Sequence, residues 1–205
     1  MLIHHKDIDP VYFIHIPRTG GRYLRELFIK NKYSVSYFLF NEYYQNKEIP
    51  HLHYPYYNRF TNNGKIKQFC IVRNPLDRFI SMFCASLIKD KLNIDKNKIL
   101  NDKFFLFEFI ENNINNFNYG TNWFLPQHFF LNHNCKIWKL EDGLDKHFYK
   151  WTKVNFGINF KHGLNIEKNN HTCEYDFYKK IKLNKKTISY IKEFYKHDYK
   201  LLGYK

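Results

Sequence analysis

The chain has 205 residues, 44% of them hydrophobic and 20% aromatic, which suffices for a packed core and excludes a disordered chain. Lys and Arg number 33 against 19 Asp and Glu, a formal net charge of +14, so anionic partners are favoured: nucleic acid, acidic glycans, phosphorylated cofactors or anionic lipid. Asn, Lys, Ile, Tyr and Phe are heavily used, as an AT-rich coding bias would produce, and part of the charge is discounted on that ground.

Residues 11–16 are a β-rich apolar run and the expected first strand. Residues 17–21 form a polar turn, and Leu24, Leu27 and Phe28 then recur at helical spacing over 22–30. Residues 34–40 read as a second strand, and 41–65, with Pro50, Pro55 and Gly64, as an irregular loop. A third strand covers 67–72. Pro75 opens a helix whose apolar face is Phe79, Ile80, Phe83, Cys84, Leu87 and Ile88. A Lys/Asn/Asp-rich connector over 89–103, a helix over 104–114, a buried strand over 135–140 ending at Glu141, and a C-terminal helix over 187–202 complete the chain. Strands alternating with helices predict an α/β fold of one domain, residues 1–205, with a mainly parallel central sheet and helices on both faces. Ligands of such sheets bind at the carboxyl ends of the strands.

Residues 1–10 lack the apolar segment of a signal peptide, and no run approaches the roughly 20 apolar residues that span a bilayer. A soluble, cytoplasmic protein is expected. The cysteines, Cys70, Cys84, Cys135 and Cys173, form no CxxC pair and have no metal-ligand spacing, so no metal site is expected. Cys70 and Cys84 read as small buried hydrophobes, while a Cys135–Cys173 bridge stays open.

Two strand-to-helix corners carry the chemistry. In the first, Pro17-Arg18-Thr19-Gly20-Gly21-Arg22, a helix N-terminus offers unpaired N–H groups and a partial positive charge. Gly20 and Gly21 let backbone approach a ligand, Arg18 and Arg22 add charge, and Thr19 adds a hydroxyl. A glycine turn flanked by surface arginines would show the same residues. The Walker pattern GxxxxGK[ST] is absent, which disfavours a nucleoside triphosphatase. In the second corner Arg73 ends an apolar strand and Ser81 lies early in the next helix. Such a pair suits one phosphate, the guanidinium binding two oxygens and the hydroxyl donating. A carboxylate partner for Arg73 and a helix-backbone bond for Ser81 is the alternative. Asp77 and Arg78 read as capping and surface charges, and His15 as a packed side chain of little catalytic weight.

The segment from Ile16 to Gly21 resembles the IPKTGG-type 5′-phosphosulfate loop of sulfotransferases, and Val72 to Ser81 resembles their VRDPxxRxxS 3′-phosphate motif. Pro126-Gln127, Lys139-Leu140-Glu141 and the ending from Tyr195 to Tyr204 are similar to further family segments. The nearest likeness is to carbohydrate sulfotransferases of the heparan 2-O and chondroitin type, over almost the whole chain. The resemblance implies a P-loop-like sulfotransferase fold and 3′-phosphoadenosine 5′-phosphosulfate (PAPS) as donor, with adenosine 3′,5′-bisphosphate as product. It implies that Arg18 stands in for the lysine that contacts the sulfonate. Thr19, Gly20 and Gly21, with the amides of Arg22 and Tyr23, would hold the 5′-phosphate, and Arg73 and Ser81 the 3′-phosphate. Arg18 in place of lysine, Arg22 and Tyr23 in place of Ser/Thr, and Asn74 in place of aspartate are departures from the pattern. His51-Leu52-His53 is similar to the HxH of the heparan 2-O enzymes, which implies His53 as base with His51 as the alternative. Histidine suits proton abstraction near neutral pH.

The acceptor is expected to be a glycan or another hydroxyl-bearing molecule, acidic ones included, with no nucleic acid partner. Tyr54, Tyr56, Tyr57 and Phe60 are candidates for stacking on sugar rings, or for the core. Glu141 would orient a base, bind the acceptor or cap the next helix, and the loop at Asn170-His171-Thr172 resembles the family's nucleotide-closing loop. Since the eukaryotic members of the family it resembles are membrane-anchored in the Golgi, the missing anchor points to a bacterial or viral source or to a trimmed chain. A P-loop-like kinase, a non-catalytic polyanion or nucleic-acid binder, and an inactive sulfotransferase relative are the rival readings.

Overall fold

The computed structural model describes residues 1–37, 43–44, 47–62, 65–88, 94–116, 122–163 and 180–205. They fall in two compact units, one of residues 1–73 with 120–165 and one of residues 74–119 with 166–205. The strands are β1 (Leu2–His5), β2 (Ile8–Ile14), β3 (Ser34–Ser36), β4 (Tyr43–Tyr44), β5 (Lys47–Glu48), β6 (Lys67–Val72) and β7 (Cys135–Lys139). The described helices are α1 (Gly21–Lys30), α2 (Pro75–Ile88), α3 (Lys96–Asn101), α4 (Lys103–Asn113), α5 (Lys146–Phe156), α6 (Lys185–Phe194) and α7 (Lys196–Leu202). None of them is long and apolar enough to cross a membrane.

The first unit is built on a five-stranded mixed sheet in the order β3-β1-β2-β6-β7. β2, β6 and β7 run parallel, with Ile14 opposite Cys70 and Cys70 opposite Ile137. The sheet is therefore α/β and parallel where the candidate corners lie, and antiparallel at its β1–β3 edge. β1 has no counterpart among the expected strands, because four residues with two histidines carry too little apolar pattern to announce one. β2 begins at Ile8 and takes in Pro10, which has no N–H for a ladder. The β1–β2 register slips there, between the Ile3–Val11 and His5–Ile8 pairs, so the proline is accommodated at an irregularity.

Val11, Tyr12, Phe13 and Ile14 are all buried, as in a strand covered on both faces. Val11, Phe13, Phe69 and Ile71 pack with Leu24, Leu27 and Phe28 of α1 and with Phe148 and Phe156 of α5. Tyr12, on the opposite face, stacks on Tyr57 with ring centroids 5.6 Å apart. Tyr57 belongs to the 3-10 turn Tyr56–Thr61, so part of the expected irregular loop is ordered against the sheet. α5 is not among the expected elements, although its boundary signals are present. The Asp145 side chain accepts the His147 N–H at 2.9 Å, and Gly157 closes the helix with φ 73°.

In the second unit α2 starts at Pro75 as expected. Asn74 caps it, its Oδ1 accepting the N–H groups of Leu76 (3.0 Å) and Asp77 (3.4 Å). An amide oxygen does here what a carboxylate would, which accounts for Asn74 in place of aspartate. The expected connector contains α3, whose cap Asp95 accepts the Asn97 N–H at 2.8 Å. α4 matches the helix expected over 104–114 and is capped by Asp102. The expected C-terminal helix is two helices, α6 and α7, that break at Tyr195. Residues 38–40 of the expected second strand, Gly64, Cys173 and the Asn170-His171-Thr172 loop lie outside the described residues. Cys70 and Cys84 are buried free thiols, as expected.

Arg78 is not a surface charge: it is 0% exposed. Burial pushes the Tyr195 phenol well up, the Arg78 charge opposes that rise, and Asp198, also fully buried, adds to it. Opposite charges thus act on one buried phenol, and the partners of a fully buried arginine lose their compensation when it is removed. Replacing Arg78 with Ala is expected to cost about 3–5 kcal/mol of stability, measured by urea unfolding, where a surface arginine would cost under about 0.5 kcal/mol.

Candidate active site

Parallel pairing carries the chain out of β2 and β6 at the same edge of the sheet. After β2 the chain turns through left-handed Arg18 (φ 66°) and Gly20 (φ 93°) before α1 begins. Left-handed backbone is unfavourable for arginine, so Arg18 is held there by its surroundings. The Thr19 hydroxyl, fully buried, donates to the Ile16 carbonyl at 2.8 Å and pins the turn from inside. Its proton is spent there, which leaves its backbone N–H as the donor on offer. Gly20 provides no side-chain cap and the first turn of α1 contains no acidic residue, so nothing on the helix competes for an incoming anion.

The loop's glycines answer to specific neighbours. A Cβ on Gly20 would lie 3.3 Å from the terminal methyls of both Leu140 and Leu144. Those leucines come from the turn after β7, which is tied by a Trp138 Nε1–H bond to the Gly143 carbonyl (2.8 Å). A Cβ on Gly21 would lie 2.0 Å from Nε2 of His15. Arg22 is exposed on the first turn of α1. The Tyr23 hydroxyl donates to the Leu144 carbonyl at 3.2 Å, so its ring fastens α1 to the β7 turn while its backbone stays with the loop. Glu141 is exposed, and the cap of the following helix is Asp145, not Glu141.

Arg73 stands at the end of β6, partly buried. Its Nη1 lies 3.5 Å from the Arg18 carbonyl oxygen, a long contact that brings the two corners together. Gln127, fully buried, clamps the Arg73 backbone: its Oε1 accepts the Arg73 N–H (3.0 Å) and its Nε2 donates to the Arg73 carbonyl (2.8 Å). That is the work of the Pro126-Gln127 segment, which sequence resemblance flagged without a role. Ser81 is buried on α2, in the second unit.

The histidines separate by environment. His51 is 2% exposed, its ring 4.8 Å from that of His15 and edge-on to Trp123 at 6.2 Å. Asn122 Nδ2 donates to the His51 carbonyl at 3.2 Å. His53 keeps partial exposure, with its ring edge-on to Tyr56 at 4.8 Å and to Phe130 at 6.1 Å. Of the aromatic candidates, Tyr57 is core, its hydroxyl donating to the Phe130 carbonyl at 2.9 Å. Phe60 packs on Tyr37 and Tyr44. Tyr54 stays 41% exposed beside the 47% exposed Phe129, whose carbonyl accepts the Tyr54 N–H at 3.0 Å.

The parallel sheet thus brings an uncapped helix start and a partly buried arginine to one edge of an α/β fold. A sequence model of the sulfotransferase family matches residues 5–205, and the chain belongs to that family. No curated protein and no solved structure matches the chain.

Burial pulls the His15 imidazole well below its ordinary value, with smaller contributions from His51, the Met1 amino group and Arg22. Below about pH 6.5 the unfolded chain binds a proton there that the folded chain refuses, so stability falls as pH drops through that value. His15→Asn is expected to reduce the slope of stability against pH between 5 and 6.5 by up to about 1.4 kcal/mol per pH unit, read by urea unfolding. Gln127→Leu leaves a buried N–H and C=O of Arg73 without these bonds and is expected to cost at least about 2 kcal/mol.

Proposed function

We propose that this sulfotransferase moves a sulfonate group from PAPS to a hydroxyl of a carbohydrate acceptor, and that residues 1–205 act as one domain. The observation that carries this is the meeting of the two corners at the Arg73–Arg18 contact, which matches a ligand with separated phosphate groups. The first corner fits a 5′-phosphosulfate: its helix start is uncapped, and Arg18 and Arg22 supply positive charge. Arg73 is proposed to bind the 3′-phosphate with two N–H groups. From motif spacing alone, Ser81 is assigned to the same phosphate.

PAPS, when bound, supplies an activated sulfonate on a good leaving group. In the proposed step the acceptor oxygen forms a bond to sulfur as the bond from sulfur to the phosphate oxygen breaks. The electron pair of that bond leaves on adenosine 3′,5′-bisphosphate, and the hydroxyl proton passes to His53. Arg18 stabilises the charge that builds on the sulfonate and leaving phosphate, the kind of electrostatic support phosphoryl transfer also relies on. His53 is favoured over His51 because a base must reach the acceptor, and His51 is enclosed between His15 and Trp123. The exposed Tyr54 and Phe129 support a sugar acceptor, since a pyranose ring stacks on such faces.

The test supplies labelled PAPS with a panel of glycans. Transfer of label to a glycan is expected, and His53→Ala should lower kcat by about 10²–10⁴. Arg73→Ala should weaken binding of adenosine 3′,5′-bisphosphate by roughly 10- to 100-fold, from the loss of charge-assisted hydrogen bonds. A thermal shift with ATP and magnesium but none with the bisphosphate would turn the assignment toward a kinase.

A further inference from the structure

We infer that His15 is a positioning residue that ties the anion loop to the histidine segment. The inference rests on the sulfotransferase reading and adds to it a group that neither corner motif contains. His15 follows β2 directly and is 6% exposed. One side of its ring fills the place of a Gly21 side chain, with Nε2 2.0 Å from where a Cβ would stand. Gly21 is the first residue of α1, and the three atoms nearest to where its Cβ would stand all belong to the imidazole, so the ring is the first obstacle to a larger residue there. The ring also lies 4.8 Å from that of His51 and stacks on Phe13 at 5.8 Å.

His51 is in turn braced by Trp123 and by the Asn122 bond to its carbonyl. A continuous column therefore runs from Gly21 through His15 and His51 to Trp123. His51 in that column sits two residues before His53, the proposed base. An apolar ring of the same shape would be cheaper to bury, which makes the choice of a histidine informative. The column sets how the start of α1 and the segment carrying His53 stand to each other. Through it His15 acts on the reaction without touching the reacting atoms.

The test is a four-protein cycle: wild type, His15→Ala, Gly21→Ala and the double variant. Binding of adenosine 3′,5′-bisphosphate and thermal unfolding are measured for all four, with kcat and KM for sulfate transfer. Gly21→Ala alone should lose stability and bisphosphate affinity, and both should recover in the His15→Ala background, where the new methyl has room. His15→Ala should lower kcat at least about 10-fold while KM for PAPS shifts less, because the base loses alignment and the phosphate groups keep their contacts. If His15→Ala fails to fold, His15→Asn, which removes the ring and keeps a polar group, is read in its place. Equal damage from Gly21→Ala in both backgrounds, or an unchanged kcat in the His15 variant, overturns the tie. Failure of the wild type to bind the bisphosphate overturns the sulfotransferase reading instead, and the unfolding cycle still reports on the packing.

Discussion

The parallel pairing of β2 with β6 is the constraint on which the site depends. With Ile14 opposite Cys70, both strands deliver their next residues to one edge of the sheet, and Arg73 comes within reach of the Arg18 carbonyl. Neither corner is special alone. A glycine-bearing helix start is a general anion site, and an arginine at a strand end is common. In the proposed function, their registry is what lets two separated negative groups be held at once. The third parallel strand contributes support: the turn after β7 lays Leu140 and Leu144 on Gly20 and receives the Tyr23 hydroxyl.

Rigidity around this edge comes from buried polar groups that hold backbone in place. Thr19 closes the first turn on Ile16, Gln127 clamps both backbone groups of Arg73, and Asn122 holds the His51 carbonyl. A buried amide that finds both its partners fixes position as well as contributing energy. The result is a preorganised corner, which matters because sulfuryl transfer resembles phosphoryl transfer in drawing its rate from placement and charge. The left-handed Arg18 fits the same picture, as strain in one residue is sustained by the contacts around it.

Much of this was legible in the chain itself. β2 and β6 are continuous apolar runs, and α2 announces itself through Pro75 and its apolar face. Both corners are short and local, so their residue types could be read directly. What escaped depends on contacts far apart in sequence. Arg78 looks like any helix-surface arginine until the fold buries it and its charge acts on Tyr195. Gln127 and His15 acquire their roles only when the β6 end and Gly21 reach them. β1 was too short and too rich in histidine to carry a pattern. α5 is a different case, since its Asp145 cap and Gly157 stop are local signals that the sequence does display.

The central claim is that one nucleotide touches both corners. Hydrogen exchange of the intact protein with and without adenosine 3′,5′-bisphosphate reads it directly, because bound phosphate oxygens protect the amides they engage. The account predicts simultaneous protection over residues 19–23 and at the end of β6 around Arg73, saturating at the same ligand concentration. Protection confined to one corner, or two corners that saturate at different concentrations, would contradict it.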